Sequence, residues 1–351
     1  MRMNSARGVL SGVILISALA GCVTVGDQKH LQPVPPKLVA SMQAKAMSVS
    51  DPILIRVFKK EAELEVWKRD RSGQYALLKT YPVCRWSGQL GPKIKEGDRQ
   101  MPEGFYTVRA GQMNPNSAYY LSFDLGFPNE LDRALGRTGS ALMIHGACSS
   151  SGCFAMTDDG AGELFALARE AIRGGQEGFP VQSFPFRMKP ENLAEHRASP
   201  HIAFWRNLKE GSDHFETTRR PPKVASCGRR YVFNASPNDP GARFDAGSAC
   251  PAYTVEAGAA MMVAAKQASD ETRIREIVAS GRAAISYTYV DGSMHPSFQD
   301  ILRLSGPVRL QALTSGSVEV SRPETALAEP KITPAGPTPA WASSTVQNDG
   351  T

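Results

Sequence analysis

A mainly β domain over residues 51–187, an α-rich extension behind it and a disordered tail are what this sequence predicts, on three observations. Short β-prone runs follow one another from Ile53 to His145, separated by Gly, Pro and Asn clusters rather than by helices long enough for a βαβ crossover. Apolar residues then recur at helical spacing between Leu164 and Ile172. From about Ser315 the chain is rich in Pro, Ala, Thr and Ser, with little apolar content to bury.

The N-terminal residues bear on the compartment. Arg2 and Arg7 flank the approach to an apolar run from Val9 to Ala20, and the small residues Ala20 and Gly21 precede Cys22. A charged region, a short hydrophobic region and a small-residue cleavage site make residues 1–21 an expected signal peptide. The run is shorter than the roughly 20 apolar residues a retained membrane helix needs. Leu19-Ala20-Gly21-Cys22 resembles a bacterial lipobox, which implies acylation of Cys22 and a membrane anchor; Val23, in place of Asp, implies outer-membrane sorting. Residues 22–50, with Pro33, Pro35 and Pro36, read as a tether holding one short helix.

Strands are expected at Ile53–Phe58 and at residues 63–67, where Leu64 and Val66 alternate with Glu63 and Glu65. Arg71-Ser72-Gly73 turns the chain into a strand at residues 75–83, and further strands are expected at 105–108, 119–123 and 141–145. The helix that follows has N-cap candidates in Thr157 and Asp158 and a terminator in Gly174-Gly175. A strand at 181–186 closes the domain. Residues 188–226 form the helical extension, with segments at 191–197 and 200–210, the second stopped by Gly211. Residues 227–314 have no legible role, although 255–280 has helical composition and 284–290 reads as a strand. Residues 315–351 are the expected disordered tail.

Without residues 1–21 the 351-residue chain keeps 330, a length whose prior is about two domains. A formal charge of +6 mildly favours anionic surroundings such as a cell wall or lipid headgroups. No dense basic block occurs, so nucleic acid is not implied. Beside Cys22 the chain has Cys84, Cys148, Cys153, Cys227 and Cys250. Exported chains mature where disulfides persist, and an odd number leaves one thiol over. Cys227 and Cys250 flank a Gly/Pro/Asn-rich stretch that suits a local bridge; Cys84 with Cys148 is the natural second pair, leaving Cys153. Five reduced core cysteines are the alternative.

The segment from Met143 to Asp158 carries the chemistry. His145 ends an apolar strand, and Cys153 follows eight residues later behind a Ser/Gly loop able to turn it back towards the histidine. Nucleophilic catalysis needs a thiol, a base within hydrogen-bond reach and a group orienting that base. A neighbouring imidazolium would lower the thiol pKa from about 8.5 by several units. With no acidic residue close in sequence, the orienting group is expected to be a backbone carbonyl at Gly146. The Gly152 and Cys153 amides are candidate oxyanion donors, with Ser151 in support. The competing reading is zinc on His145, Cys148, Cys153 and one of His196, His201 or His214. No CxxC pair occurs, which disfavours both zinc and a redox role, so no metal or cofactor is expected.

These residues resemble the active-site motif of YkuD-type L,D-transpeptidases. His145-Gly146 matches the family's histidine–glycine pair at a strand end, and Ser150-Ser151-Gly152-Cys153 matches its Ser/Thr-His-Gly-Cys element. Met101-Pro102-Glu103-Gly104-Phe105-Tyr106 looks like the upstream Pro-x-Gly-x-aromatic strand. Ser151 stands in place of the second histidine, and the loop is short; both are features of the YafK-like branch, which the chain resembles over roughly residues 53–227. Cys84-Arg85-Trp86-Ser87-Gly88 also looks familiar within that branch.

The resemblance implies a mixed β-sandwich with packed helices, Cys153 as nucleophile and His145 as general acid/base. It implies attack on an amide between an L-centre and a D-centre of peptidoglycan stem peptides, through an acyl-enzyme. Amine attack on that intermediate gives transpeptidation. Water gives the hydrolytic outcome associated with YafK-like members, release of a wall-linked outer-membrane lipoprotein. A non-catalytic peptidoglycan-binding lipoprotein of the same fold is the alternative, and retention of both Cys153 and His145 speaks against it.

Overall fold

The computed structural model describes residues 25–314 and 318–335. The expected signal peptide, Cys22 and residues 336–351 lie outside the described residues. Residues 22–50 are expected as a tether holding one short helix, and the described part of it packs that helix on the domain. Their helix α1 (Pro36–Ala44) buries Leu38 and Met42, and Val34 and Met47 join the same core. Arg169 Nη2 fixes the entry by donating to the Gln32 carbonyl at 3.0 Å.

Strand β1 (Ile53–Phe58) is buried along its whole length because it is the central strand of a five-stranded sheet, which is why its apolar run need not alternate. β2 (Glu63–Arg69) and β3 (Tyr75–Pro82) extend that sheet antiparallel on one side. β4 (Gly104–Arg109) is its opposite edge. A second, four-stranded sheet comprises β5 (Met113–Asn114), β6 (Ser122–Asp124), β7 (Met143–His145) and β8 (Phe154–Ala155). A short helix, α2 (Glu130–Ala134), is capped by Asn129, whose side chain accepts from the Asp132 amide.

The helix expected after the cysteine is α3 (Asp158–Arg173). Thr157 caps it by accepting from the Gly160 amide at 3.2 Å, and Gly174 closes it. Its buried face meets β1, β7 and β9 (Gly178–Phe184), the last running parallel to β1 and antiparallel to β4. Phe123 of β6 stacks on Phe165 of α3 at 5.4 Å and meets Phe179 of β9 edge-on at 5.7 Å. Both sheets therefore share one core, and the short strands of the second sheet rest on a fixed helix. The fold is one of mixed sheets with several packed helices.

Two expectations fail beyond β9. After α4 (Pro190–Glu195), helix α5 (Ile202–Thr218) runs straight through Gly211. A Cβ there would lie 2.3 Å from a Phe105 ring atom and 2.5 Å from one of Phe233, so this glycine permits close packing and does not terminate the helix. The chain continues through the hairpin β10 (Val224–Cys227) and β11 (Arg230–Phe233), then β12 (Ala235–Pro237) and β13 (Tyr253–Val255). Cys227 is bonded to Cys250. Helix α6 (Ala257–Ala279) packs on α4 and α5.

The second failure concerns residues 318–335 of the expected tail. After β14 (Ile285–Thr288) comes α7 (Pro296–Gln311), unanticipated because Gly306-Pro307 interrupts its periodicity. Residues 318–335 are ordered: α8 (Pro323–Leu327) buries Ala326, and β15 (Lys331–Pro334) pairs with β14. Val320 and Ala326 join Phe298, Leu302 and Leu310 around the Cys84–Cys148 disulfide. Few apolar residues suffice there because the surface they cover is already built.

Candidate active site

The end of β7 and the start of β8 place the two reactive side chains. The strands pair in parallel, Ile144 opposite Phe154 and His145 opposite Ala155. Ile144 and Phe154 point into the core. Side chains alternate across a strand, so His145 and Cys153, each one residue away, emerge on the other face. The intervening turn has Ala147 at φ +69° and Cys148 at φ +43°, a conformation costly for residues with a Cβ. Three ties hold it: the Ala147 amide donates to Asp158 Oδ1 at 2.9 Å, the Cys148 amide to the Met156 carbonyl at 3.2 Å, and Cys148 is bonded to Cys84.

His145 is almost fully buried, and its Nδ1 lies 2.6 Å from the Gly146 carbonyl oxygen. A carbonyl only accepts, so Nδ1 carries the proton and Nε2 holds the free lone pair. Nε2 has no hydrogen-bond partner among the described residues. Tyr119 packs its ring 4.7 Å from the imidazole. Burial lowers the imidazole pKa to about 4 against the opposing pull of the Gly146 carbonyl, so the ring is neutral at ordinary pH. Gly146 also has a steric reason to be glycine. A Cβ there would sit 2.7 Å from Asp158 Oδ1 and 2.9 Å from Tyr120 Cβ.

The Cys153 thiol is the free one among the described cysteines. Its sulfur accepts from the Met143 amide at 3.4 Å and donates to the Ala141 carbonyl at 3.7 Å. No hydrogen bond joins it to the imidazole, so the expected thiol–imidazole contact is not made in this state. Burial pushes the thiol pKa up, and the Met143 amide only partly opposes it. The expectation of a thiol activated by an imidazolium is thereby corrected: the resting pair is neutral thiol beside neutral imidazole. Alkylation of Cys153 by iodoacetamide should accordingly climb only at alkaline pH, with no reactive plateau near neutrality, and His145→Gln should leave that profile in place. Mass spectrometry of the Cys153 peptide across a pH series reads both results.

The loop before the nucleophile departs from expectation too. Gly152, at φ +129°, donates its amide to Ser150 Oγ at 3.4 Å, and the Cys153 amide does so at 3.2 Å. These proposed oxyanion donors are thus engaged by a hydroxyl in the resting structure. Ser151 Oγ accepts from Arg99 Nη1 at 2.9 Å. The zinc alternative loses Cys148 to its disulfide, and its other histidines lie elsewhere: His196 stacks on Phe186, His201 packs by Trp205, and His214 bonds Asn234. Sequence reasoning named Ser150 only as part of the motif, without its anchoring role, and missed Arg99, Tyr119 and the role of Asp158 at the turn. Asp158 carried a signal only as a helix cap candidate, and Arg99 and Tyr119 carried none, because their contacts join distant segments.

A family model described as the YkuD L,D-transpeptidase catalytic domain matches residues 52–182. The chain is 41% identical over 226 residues to YafK of Escherichia coli K12, a protein with a provisional L,D-transpeptidase designation; the match covers 63% of this chain and 89% of that one. YafK of E. coli O157:H7 matches equally. Among solved structures, the helical cell shape determining protein Pgp2 of Campylobacter jejuni is 20% identical at a TM-score of 0.30, over 44% of this chain and 55% of its own. Bd1075 of Bdellovibrio bacteriovorus is 20% identical at 0.28, over 40% and 51%. The chain thus spans about half the length of those two structures.

Proposed function

Because the chain belongs to the YkuD family of L,D-transpeptidases, we propose that it is a cysteine enzyme of peptidoglycan, acting on the amide between an L-centre and a D-centre of stem peptides. The observation that carries this reading is the pairing of one free, partly exposed thiol with a histidine whose Nδ1 is fixed by a carbonyl, leaving Nε2 as a base on the same face.

With substrate bound, the thiol turns from the Ala141 carbonyl towards Nε2. His145, neutral at ordinary pH and so holding a free lone pair on Nε2, takes the thiol proton as the sulfur attacks the amide carbon. The resulting imidazolium returns the proton to the departing amine, leaving a thioester on Cys153. Water or an acceptor amine then attacks the thioester, with His145 again as base, and frees the thiol. Catalytic hydrogen bonds that are loose in a resting enzyme commonly tighten in the complex. Cleavage of residues 1–21, acylation of Cys22 and outer-membrane anchoring complete the proposal, with a wall-linked lipoprotein as a candidate substrate.

Incubating the purified protein with sacculi and analysing the released and retained muropeptides by mass spectrometry tests this. New cleavage products identify the hydrolytic outcome and new cross-links the transpeptidase outcome. Binding to sacculi with no new product would instead favour the non-catalytic wall-binding reading.

A further inference from the structure

The nucleophile loop is fastened by residues far outside the segment the family model matches. Ser150, nearly fully buried, is its anchor: its hydroxyl donates to the Cys153 carbonyl at 2.7 Å and accepts from the Gly152 and Cys153 amides. Ser150 is itself held from the C-terminal segment. Its amide donates to Ser321 Oγ at 2.9 Å, and Ser321 Oγ donates back to the Ser150 carbonyl at 3.2 Å. Arg99 Nη2 reaches the same carbonyl at 3.2 Å.

Arg99 is oriented in turn by Asp291, whose Oδ2 it meets at 2.7 Å. Asp291 also faces Arg322 at 3.4 Å and Arg85 at 3.6 Å. Arg85, fully buried, donates to the Ser321 carbonyl and to Thr325 Oγ1, tying the far side of the segment to the Cys84–Gly88 stretch. The apolar cluster around the Cys84–Cys148 disulfide seats the whole assembly against the His145–Cys153 turn.

We propose that residues 289–314 and 318–327 form a clamp that positions Cys153, with Ser321 and Asp291 as its positioning residues. The proposal rests on the reading of Cys153 as nucleophile. Its physical basis is the reciprocal Ser150–Ser321 pair, which fixes both main-chain groups of the residue whose hydroxyl fixes the main chain of Cys153. A small displacement of a reacting atom costs rate out of proportion to its size, on the order of 100-fold for 1 Å.

Two readouts on the full-length protein test it, one of them independent of substrate. Ser321→Ala should lower kcat on muropeptides by about 10- to 100-fold with KM little changed. It should also shift the alkylation profile of Cys153 to lower pH, because a loosened loop exposes a thiol now held up by burial. Ser321→Thr, which keeps the hydroxyl, should restore both. A wild-type kcat and alkylation profile in Ser321→Ala overturns the clamp, as does any loss that threonine fails to restore. Wild-type protein without turnover would overturn the enzymatic reading instead, and the alkylation arm would then decide the clamp alone.

Discussion

Replacing Cys153 by alanine should abolish turnover of muropeptides, by up to about a million-fold, while leaving the thermal melt unchanged. That scale is what removal of a covalent nucleophile costs elsewhere, and it exceeds any positioning effect. Stability should hold because the sulfur's hydrogen bonds, from the Met143 amide at 3.4 Å and to the Ala141 carbonyl at 3.7 Å, are both long and weak. His145→Gln should cost less, about 10²–10⁴-fold, the usual share of a general acid/base. A glutamine amide can still donate towards the Gly146 carbonyl but offers no basic nitrogen. The pH dependence has a defined sign: with the imidazole pKa at about 4, the neutral base persists from mildly acidic pH upward and is lost only as pH falls through that value. Turnover by Cys153→Ala at the wild-type rate would end the enzymatic assignment.

The largest effect on stability is expected at Glu103, outside the His145–Cys153 turn. Its carboxylate pairs with Lys59 at 3.0 Å with both side chains fully buried, and it accepts from Trp205 Nε1 and from the Gly91 amide, each at 2.8 Å. Lys59 in turn donates to the Gly91 carbonyl at 2.8 Å. Glu103→Ala would strand a buried ammonium, an indole N–H and a backbone amide together, so a loss of about 3–5 kcal/mol is expected. Denaturant titration followed by tryptophan fluorescence checks it. The double variant Lys59→Met, Glu103→Leu should recover much of the loss, since removing both charges removes the unpaired one. A Glu103→Ala protein as stable as wild type would show that the network contributes nothing net.

The same network explains the Pro102-Glu103-Gly104 element. Glu103 ties the start of β4 to the Lys59 turn and to α5. Gly104 takes φ +148°, where a Cβ would sit 2.6 Å from the Tyr231 hydroxyl. The motif was visible in the sequence as a pattern. Its partners at positions 59, 91, 205 and 231 were not, because hydrogen bonds between distant segments leave no local periodicity.

What the sequence determined by itself was local. β1 follows from an apolar, β-prone run interrupted only by Arg56, and α3 from a 3.6-residue stripe between the Thr157 cap and Gly174. The family was legible because in this chain both reactive residues fall within one short segment, at fixed spacings from His145 to Cys153. Tertiary structure alone decided the rest. It kept Gly211 inside a helix, seated Val320 and Ala326 of the polar C-terminal segment around the Cys84–Cys148 disulfide, and joined Ser321 to Ser150 across 171 positions. It also set the protonation of the resting pair. Burial by many distant side chains weakens the charged form of both groups, so thiol and imidazole rest neutral, a balance that no spacing between positions 145 and 153 encodes.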